Sequence, residues 1–155
     1  MGCTGEWETA LAARQFYDLG LGVPVIVSTS ISTPQVNELC EPEWLDNWYS
    51  CTDFTTSNPS EIVQNFVENF KAAYGEEPEL YATTYYGSIY IVADAIERAG
   101  STDPAAIRDA LAATEGLEGP LATYTADDIR EMVHGGTICK MVDGKAEFLE
   151  YILVE

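Results

Sequence analysis

Residues 81–120 read YATTYYGSIYIVADAIERAGSTDPAAIRDALAATEGLEGP, and the punctuation of this stretch decides how the rest of the chain is read. Tyr81, Thr84, Tyr85, Ser88, Ile89, Val92, Ile96 and Ala99 recur at three- and four-residue spacings. They predict one long helix over 80–99 with that face turned inward. Gly100 supplies the left-handed residue that ends many helices. Asp103-Pro104 restarts a shorter helix running to 113, with a capping side chain followed by a proline at the first helical position. Ile107, Ala110 and Leu111 form its inward face. Gly119-Pro120 then bends the chain toward a strand at 122–125.

Upstream, Asn58 reads as a helix cap, Pro59 as the first helical residue, and Glu61 as the partner of a capping box. Ile62, Val63, Phe66, Val67, Phe70, Ala73 and Tyr74 lie along one face, and Gly75 stops the helix. The polar run Thr55-Thr56-Ser57-Asn58-Pro59 reads as a boundary or hinge. Before it, the aromatic-rich alternation over 48–54 predicts a strand, entered through the turn at Asp46-Asn47. Pro34 starts a short helix to about Cys40. The apolar run over 24–29 suits a strand buried on both faces, as in a parallel sheet. The chain opens on a helix capped by Thr4 or Gly5, with Glu6 and Glu8 in its first turn. Trp7, Ala10, Leu11, Ala13 and Tyr17 make its stripe, and Gly20 ends it. Downstream, Gly135-Gly136 precedes a strand over 137–142, Asp143-Gly144 marks a tight hairpin, and 145–154 returns as the last strand. Helices and strands mix in the manner of an α/β fold, without internal repeats.

The chain has 155 residues and a hydrophobic fraction of 46%, enough to bury the core of one ordinary domain without metal or disulfide. Asp and Glu number 26 against 7 Lys and Arg, a net charge of -19. Such a surface repels nucleic acid and anionic membranes, and no basic cluster exists to bind either. No apolar run is long enough to span a bilayer, and the first residues lack the basic and apolar regions of a signal peptide. Glu6 stands where a myristoylation motif needs Ser or Thr. Cys3, Cys40, Cys51 and Cys139 match no zinc spacing. Cys40 and Cys51 are close enough in sequence for a bridge contributing ~3 kcal/mol, or each is a small buried thiol. Glu131-x-x-His134, beside Asp127 and Asp128, supplies too few ligands for a metal. With one histidine and no nucleophile elbow, the chain does not read as an enzyme.

Four segments carry a resemblance through their order and spacing. They are TGEWETALAARQFYDLGLGVPVIVS, FVENFKAAYGEEPELYATTYYGSIYIVADAIERAGSTDPAAIRDAL, GLEGPLATYT and KMVDGK. Together they resemble the type I periplasmic binding proteins, and within them the branched-chain amino-acid and amide receptors of ABC transporters. The run from Ala93 to Pro104 is the strongest piece. The resemblance implies a three-layer αβα fold with a mostly parallel sheet, present here in part, with the N-terminal half missing. It implies that 1–55 belong to the C-terminal lobe, that 56–120 supply helices of the N-terminal lobe, and that 121–155 return to the C-terminal lobe.

By the same resemblance a small organic ligand is held between the lobes, and Thr4, Trp7, Thr29 and Tyr81 match positions facing that cleft. Leucine-type members place a carboxylate where Thr29 stands, and a hydroxyl alone does not balance a buried ammonium. An aromatic acid or an amide is therefore as good a candidate as an amino acid. Tyr86-Gly87 also departs from the family's usual Tyr-Asp pair. Each residue has a second reading: Trp7 as lobe packing, Tyr81 as core, Glu6 as a complement to the helix dipole. The aromatics Trp44, Trp48, Tyr49 and Phe54 fit a core better than a pocket.

The implied function is the C-terminal portion of an extracytoplasmic solute receptor that serves an ABC importer's permease, without cofactor or covalent chemistry. The alternative is a truncated α/β module that associates with its own copies through unpaired sheet edges, giving a homo-oligomer.

Overall fold

The computed structural model describes residues 5–153. Two hydrophobic groups organise it. The first lies on a four-stranded sheet in the order β1-β2-β6-β7, with β1 at Val25–Val27, β2 at Trp48–Thr52, β6 at Gly136–Val142 and β7 at Lys145–Ile152. Helices α1 (Glu6–Asp18) and α2 (Pro34–Leu39) cover this sheet. Ile31, Val36, Leu45 and Trp48 are sealed between them, and Phe16 meets the Trp48 ring edge-on at 5.6 Å. The second group joins Phe54 to Val63, Phe66 and Val67 of α3 (Glu61–Tyr74) and to Leu121, Ala122 and Tyr124. Around it stand α4 (Leu80–Ala99), α5 (Pro104–Ala112) and a small antiparallel sheet of β3 (Leu117–Glu118), β4 (Thr123–Ala126) and β5 (Met132–Val133).

The sheet corrects one expectation. Only β1 and β2 pair in parallel among the described residues; β2–β6 and β6–β7 are antiparallel. The cause is visible in the sequence: the two-residue turn Asp143-Gly144, with both φ positive (49° and 76°), folds β7 straight back on β6. β1 is also not buried on both faces. Val25 and Val27 point into the core, whereas Ile26 on the opposite face is 66% exposed. At Gly135 the backbone of the returning chain comes so close that a Cβ would lie 2.7 Å from the Tyr151 ring and collide with the Ile152 carbonyl.

Helix boundaries followed local chemistry, with two exceptions. α3 begins at Glu61, behind Ser60, and not at Pro59; Asn58 instead uses its Oδ1 to accept the Ser60 N–H at 3.0 Å, closing a turn before the helix. Glu79, an unusual cap, accepts the N–H groups of Tyr81 and Ala82 at 3.0 and 2.6 Å. Asp103 caps α5 as its sequence predicts, accepting from Ala105 and Ala106. Gly100 ends α4 with φ of 59°.

The inward faces of two helices differ from their apolar stripes. α1 buries Thr9, Ala10 and Ala13, leaving Trp7, Leu11 and Tyr17 in solvent. α4 buries only Thr83, Gly87 and Ala95. Its expected inward residues Tyr81, Thr84, Tyr85, Ser88, Ile89 and Val92 are exposed. Small residues face the neighbouring chain because Tyr124 approaches closely, with its hydroxyl 3.5 Å from where a Gly87 Cβ would stand. Cys40, Cys51 and Cys139 are free thiols, so no Cys40–Cys51 bridge is formed.

Candidate functional site

The carboxyl ends of β1 and β2 lie side by side, since Val27 pairs with Ser50 in a parallel register. In open α/β sheets this edge is where ligands collect, because loops diverge there and helix N-termini point toward it. Leaving β1, the chain enters a single 3-10 turn, Thr29–Ser32. Helix α1 presents its N-terminus beside that turn: the buried Thr9 Oγ1 and Ser30 Oγ hydrogen-bond at 2.8 Å. Ser32 Oγ donates to the Thr29 carbonyl at 2.8 Å and to Thr52 Oγ1, at the end of β2, at 3.2 Å. Two hydroxyl pairs thus tie the turn after β1 to α1 on one side and to the end of β2 on the other.

Two expected ligand residues are neighbours in sequence of these hydroxyls, and no hydrogen bond or ring contact joins them among the described residues. Trp7 stands in the first turn of α1, two residues from Thr9, and its ring is 69% exposed. Thr29 opens the 3-10 turn, one residue from Ser30, and is half-buried. Thr4 lies outside the described residues. Tyr81 belongs to the other group of elements: it sits in the first turn of α4, 52% exposed, with its N–H held by Glu79. Among the described residues no hydrogen bond or ring contact joins Tyr81 to Trp7 or Thr29.

Sequence reading passed over two further groups here. Asp53 follows β2 directly, and its charge helps raise the phenol pKa values of Tyr124 and Tyr151, behind burial, the largest cause in both. A carboxylate therefore stands just past the end of β2 and not at the end of β1. Thr137 pairs with Thr52 across β2–β6, and its fully buried Oγ1 has no hydrogen-bond partner. Thr137 is not legible from sequence, because its place depends on the antiparallel entry of β6.

His134 is not drawn into this edge as an acid or base. Its Nδ1 lies 2.7 Å from the Gly135 carbonyl, and its ring meets Tyr124 edge-on. Among the described residues no three His, Cys, Asp or Glu side chains come together in a metal-binding group, and no helix is long and apolar enough to cross a membrane. A concavity of about 850 Å³ lies elsewhere, between α3, α4 and the β3–β4 hairpin. Its walls carry a row of tilted aromatic contacts, Tyr74–Phe70–Phe66–Tyr86–Tyr90, with ring centroids 4.6–5.8 Å apart. None of Trp7, Thr29 or Tyr81 lines it.

A family model for periplasmic binding proteins matches residues 1–146. The chain belongs to the periplasmic binding protein family. Solved structures of this kind superpose closely on it. A leucine binding protein from Thermotoga maritima is 25% identical with a TM-score of 0.86, over 96% of this chain and 43% of its own. A branched-chain amino acid transporter substrate binding protein from Streptococcus pneumoniae, in complex with isoleucine, is 24% identical with a TM-score of 0.83, over 99% of this chain and 43% of its own. A more distant solute binding protein from R. palustris, in complex with benzoate, shares the fold at 16% identity with a TM-score of 0.74, over 95% of this chain and 41% of its own. The periplasmic binding protein fold is thus present in part: the chain spans less than half the length of each of these proteins. No curated protein matches the chain.

Proposed function

We propose that this chain is the C-terminal portion of an extracytoplasmic solute receptor, and that the carboxyl edge of β1 and β2 is its share of the ligand site. The observation that supports this reading is the pair of hydroxyl contacts, Thr9–Ser30 and Ser32–Thr52, that tie α1 and the Thr29–Ser32 turn to the end of β2, within a family fold whose structural neighbours include a leucine binding protein and complexes with isoleucine and benzoate. Residues 1–55 with the return from 121 form one lobe, and 56–120 contribute to the other, which brings Tyr81 to the cleft only on closure. Capture requires no covalent step, and the loaded receptor delivers its solute to an ABC permease. Hydroxyls on the Thr29 turn, Trp7 as an apolar wall and Asp53 as a nearby carboxylate suit a small amino acid, aromatic acid or amide.

Thermal shift against leucine, isoleucine, benzoate and their amides tests this. A family-length protein containing this sequence is expected to be stabilised by at least one of them, and the chain alone hardly at all. Thr29→Val and Trp7→Ala each weaken that binding about tenfold. Equal affinity in the two forms, or no response in the longer one, defeats the reading.

A second reading, association with further copies of the chain, draws on α4. No charged residue stands between Glu79 and Asp94, yet Tyr85 and Ile89 are 74% and 70% exposed. With a net charge of -19 on each copy, association should strengthen with salt. Light scattering on a size-exclusion column reads it: dimers that Ile89→Glu dissociates support it, and a monomer at every salt concentration removes it.

A further inference from the structure

The two hydrophobic groups are joined through residues 53–60, and the middle of that connector is held from both sides in alternation. Thr55 and Ser57 face the sheet. Thr55 Oγ1 donates to the Ala146 carbonyl of β7 at 2.8 Å, and Ser57 Oγ donates to the same carbonyl at 3.0 Å. Ser57 Oγ in turn accepts the Phe148 N–H at 2.8 Å. Thr56 and Asn58 face α3. The Gln64 side-chain amide spends its two protons on their carbonyls, at 2.9 and 2.6 Å. In this arrangement one carbonyl takes two hydroxyl protons, one hydroxyl takes an amide proton, and one NH₂ serves two carbonyls, with Thr55 Oγ1 and Ser57 Oγ themselves 3.0 Å apart. Gln64 adjoins Val63 and Phe66 of the second group, while Ala146 packs against the first.

We infer that residues 55–58 are a two-sided latch, in which Ser57 and Gln64 act as positioning residues that fix how the α3–α4 elements are set against the sheet. Such a latch governs any motion of one group against the other, since the connector cannot bend without breaking bonds on one side. Thr55 is buried, so the sheet side is the more firmly anchored. Bending is therefore expected to begin at Gln64. The inference uses no ligand: it stands or falls on the connector alone, whether or not the solute reading holds.

Amide exchange measured by NMR on the chain tests it. Gln64→Leu keeps the helix and touches only the α3 side, yet it should speed exchange of the Phe148 N–H, on the far side, about five- to tenfold. Ser57→Ala should speed exchange of the Gln64 side-chain amide by a similar factor, and Ser57→Thr, which keeps the hydroxyl, should restore it. The Val27 and Val67 amides, one in each core, serve as controls and should not change. Effects confined to the side that was altered overturn the latch. So does a uniform acceleration that includes Val27 and Val67, which would mean lost global stability only.

Discussion

The sheet body and the α3–α5 body stabilise their helices by different means. α1 and α2 have no side-chain cap at all, yet Ile31, Val36, Leu45 and Trp48 beneath them are at most 2% exposed. α4 and α5 are both capped by carboxylates, Glu79 and Asp103, but α5 has no fully buried residue and α4 buries only small ones. Where packing is complete, local signals are dispensable; where a face is left open, the helix rests on its ends and on neighbouring ties. Arg98 is such a tie: it reaches from α4 to Asp94, to the Ala110 carbonyl of α5 at 2.6 Å and to Thr114 at 2.9 Å.

The largest expected effect comes from treating the two bodies alike. Trp48→Ala empties the centre of the first core and should cost about 3–5 kcal/mol. Ile89→Ala removes a large apolar side chain from α4 but should stay within about 0.5 kcal/mol, because the residue is already in water. Denaturant unfolding of the two variants reads the contrast directly. A large loss for Ile89→Ala would mean that α4 is covered in solution, and the distinction between the bodies would disappear.

The cover over the sheet body can also be titrated. Cys139 is fully buried on β6, and burial, the main cause, pushes its thiol from 9.0 up to about 11. Glu147 and Cys51 add to the rise, and the Thr55 hydroxyl opposes it. The folded state holds the neutral thiol more strongly than the unfolded chain does. Its contribution is complete below pH 9 and is lost as pH rises from 9.0 to about 11. At most about 3 kcal/mol follows from this difference. Cys139→Ala should flatten the fall in stability over that window, leaving a smaller slope from Tyr124 and Tyr151, whose pKa values are raised in the same direction. An unchanged slope would mean that the thiol is reached by solvent.

The same contrast explains what was legible in the sequence. Punctuation held at Gly100, Asp103-Pro104 and Asp143-Gly144, which impose backbone geometry whatever surrounds them, and failed at Asn58-Pro59, which forms a turn ahead of α3. Apolar periodicity worked for α3, whose Val63, Phe66 and Val67 do face a core. It misled for α4, because a stripe such as Tyr81-Tyr85-Ile89-Val92 records what the helix is suited to meet, not what this chain supplies. The mostly parallel sheet is what the resemblance implies, whereas the Asp143-Gly144 hairpin, legible in the sequence, makes β6–β7 antiparallel. At the candidate site, Trp7 and Thr29 rest on the resemblance; the hydroxyls that bond there belong to their sequence neighbours Thr9 and Ser30. Thr137 carries no local signal, since only strand pairing sets it against Thr52.

The smallest effect isolates the capping half of the comparison. Asp103 Oδ1 accepts from Ala105 and Ala106 at 3.0 and 3.1 Å, satisfying two N–H groups that the first turn of α5 cannot pair internally. Asp103→Ala removes both bonds and the favourable charge at the helix N-terminus, at a cost of about 1 kcal/mol. Asp103→Asn keeps the acceptor and loses only the charge, so it should recover most of that. Because α5 is held by little else, the loss should appear locally, as faster amide exchange across 104–112 before global unfolding. The corresponding change at the other body, Thr33→Ala ahead of α2, removes no cap, since Thr33 Oγ1 is committed to the Ser30 carbonyl at 2.9 Å. Its effect should instead spread through the first core with no selective fraying of α2. Equal, local fraying of both helices would show that covering a helix does not replace capping it.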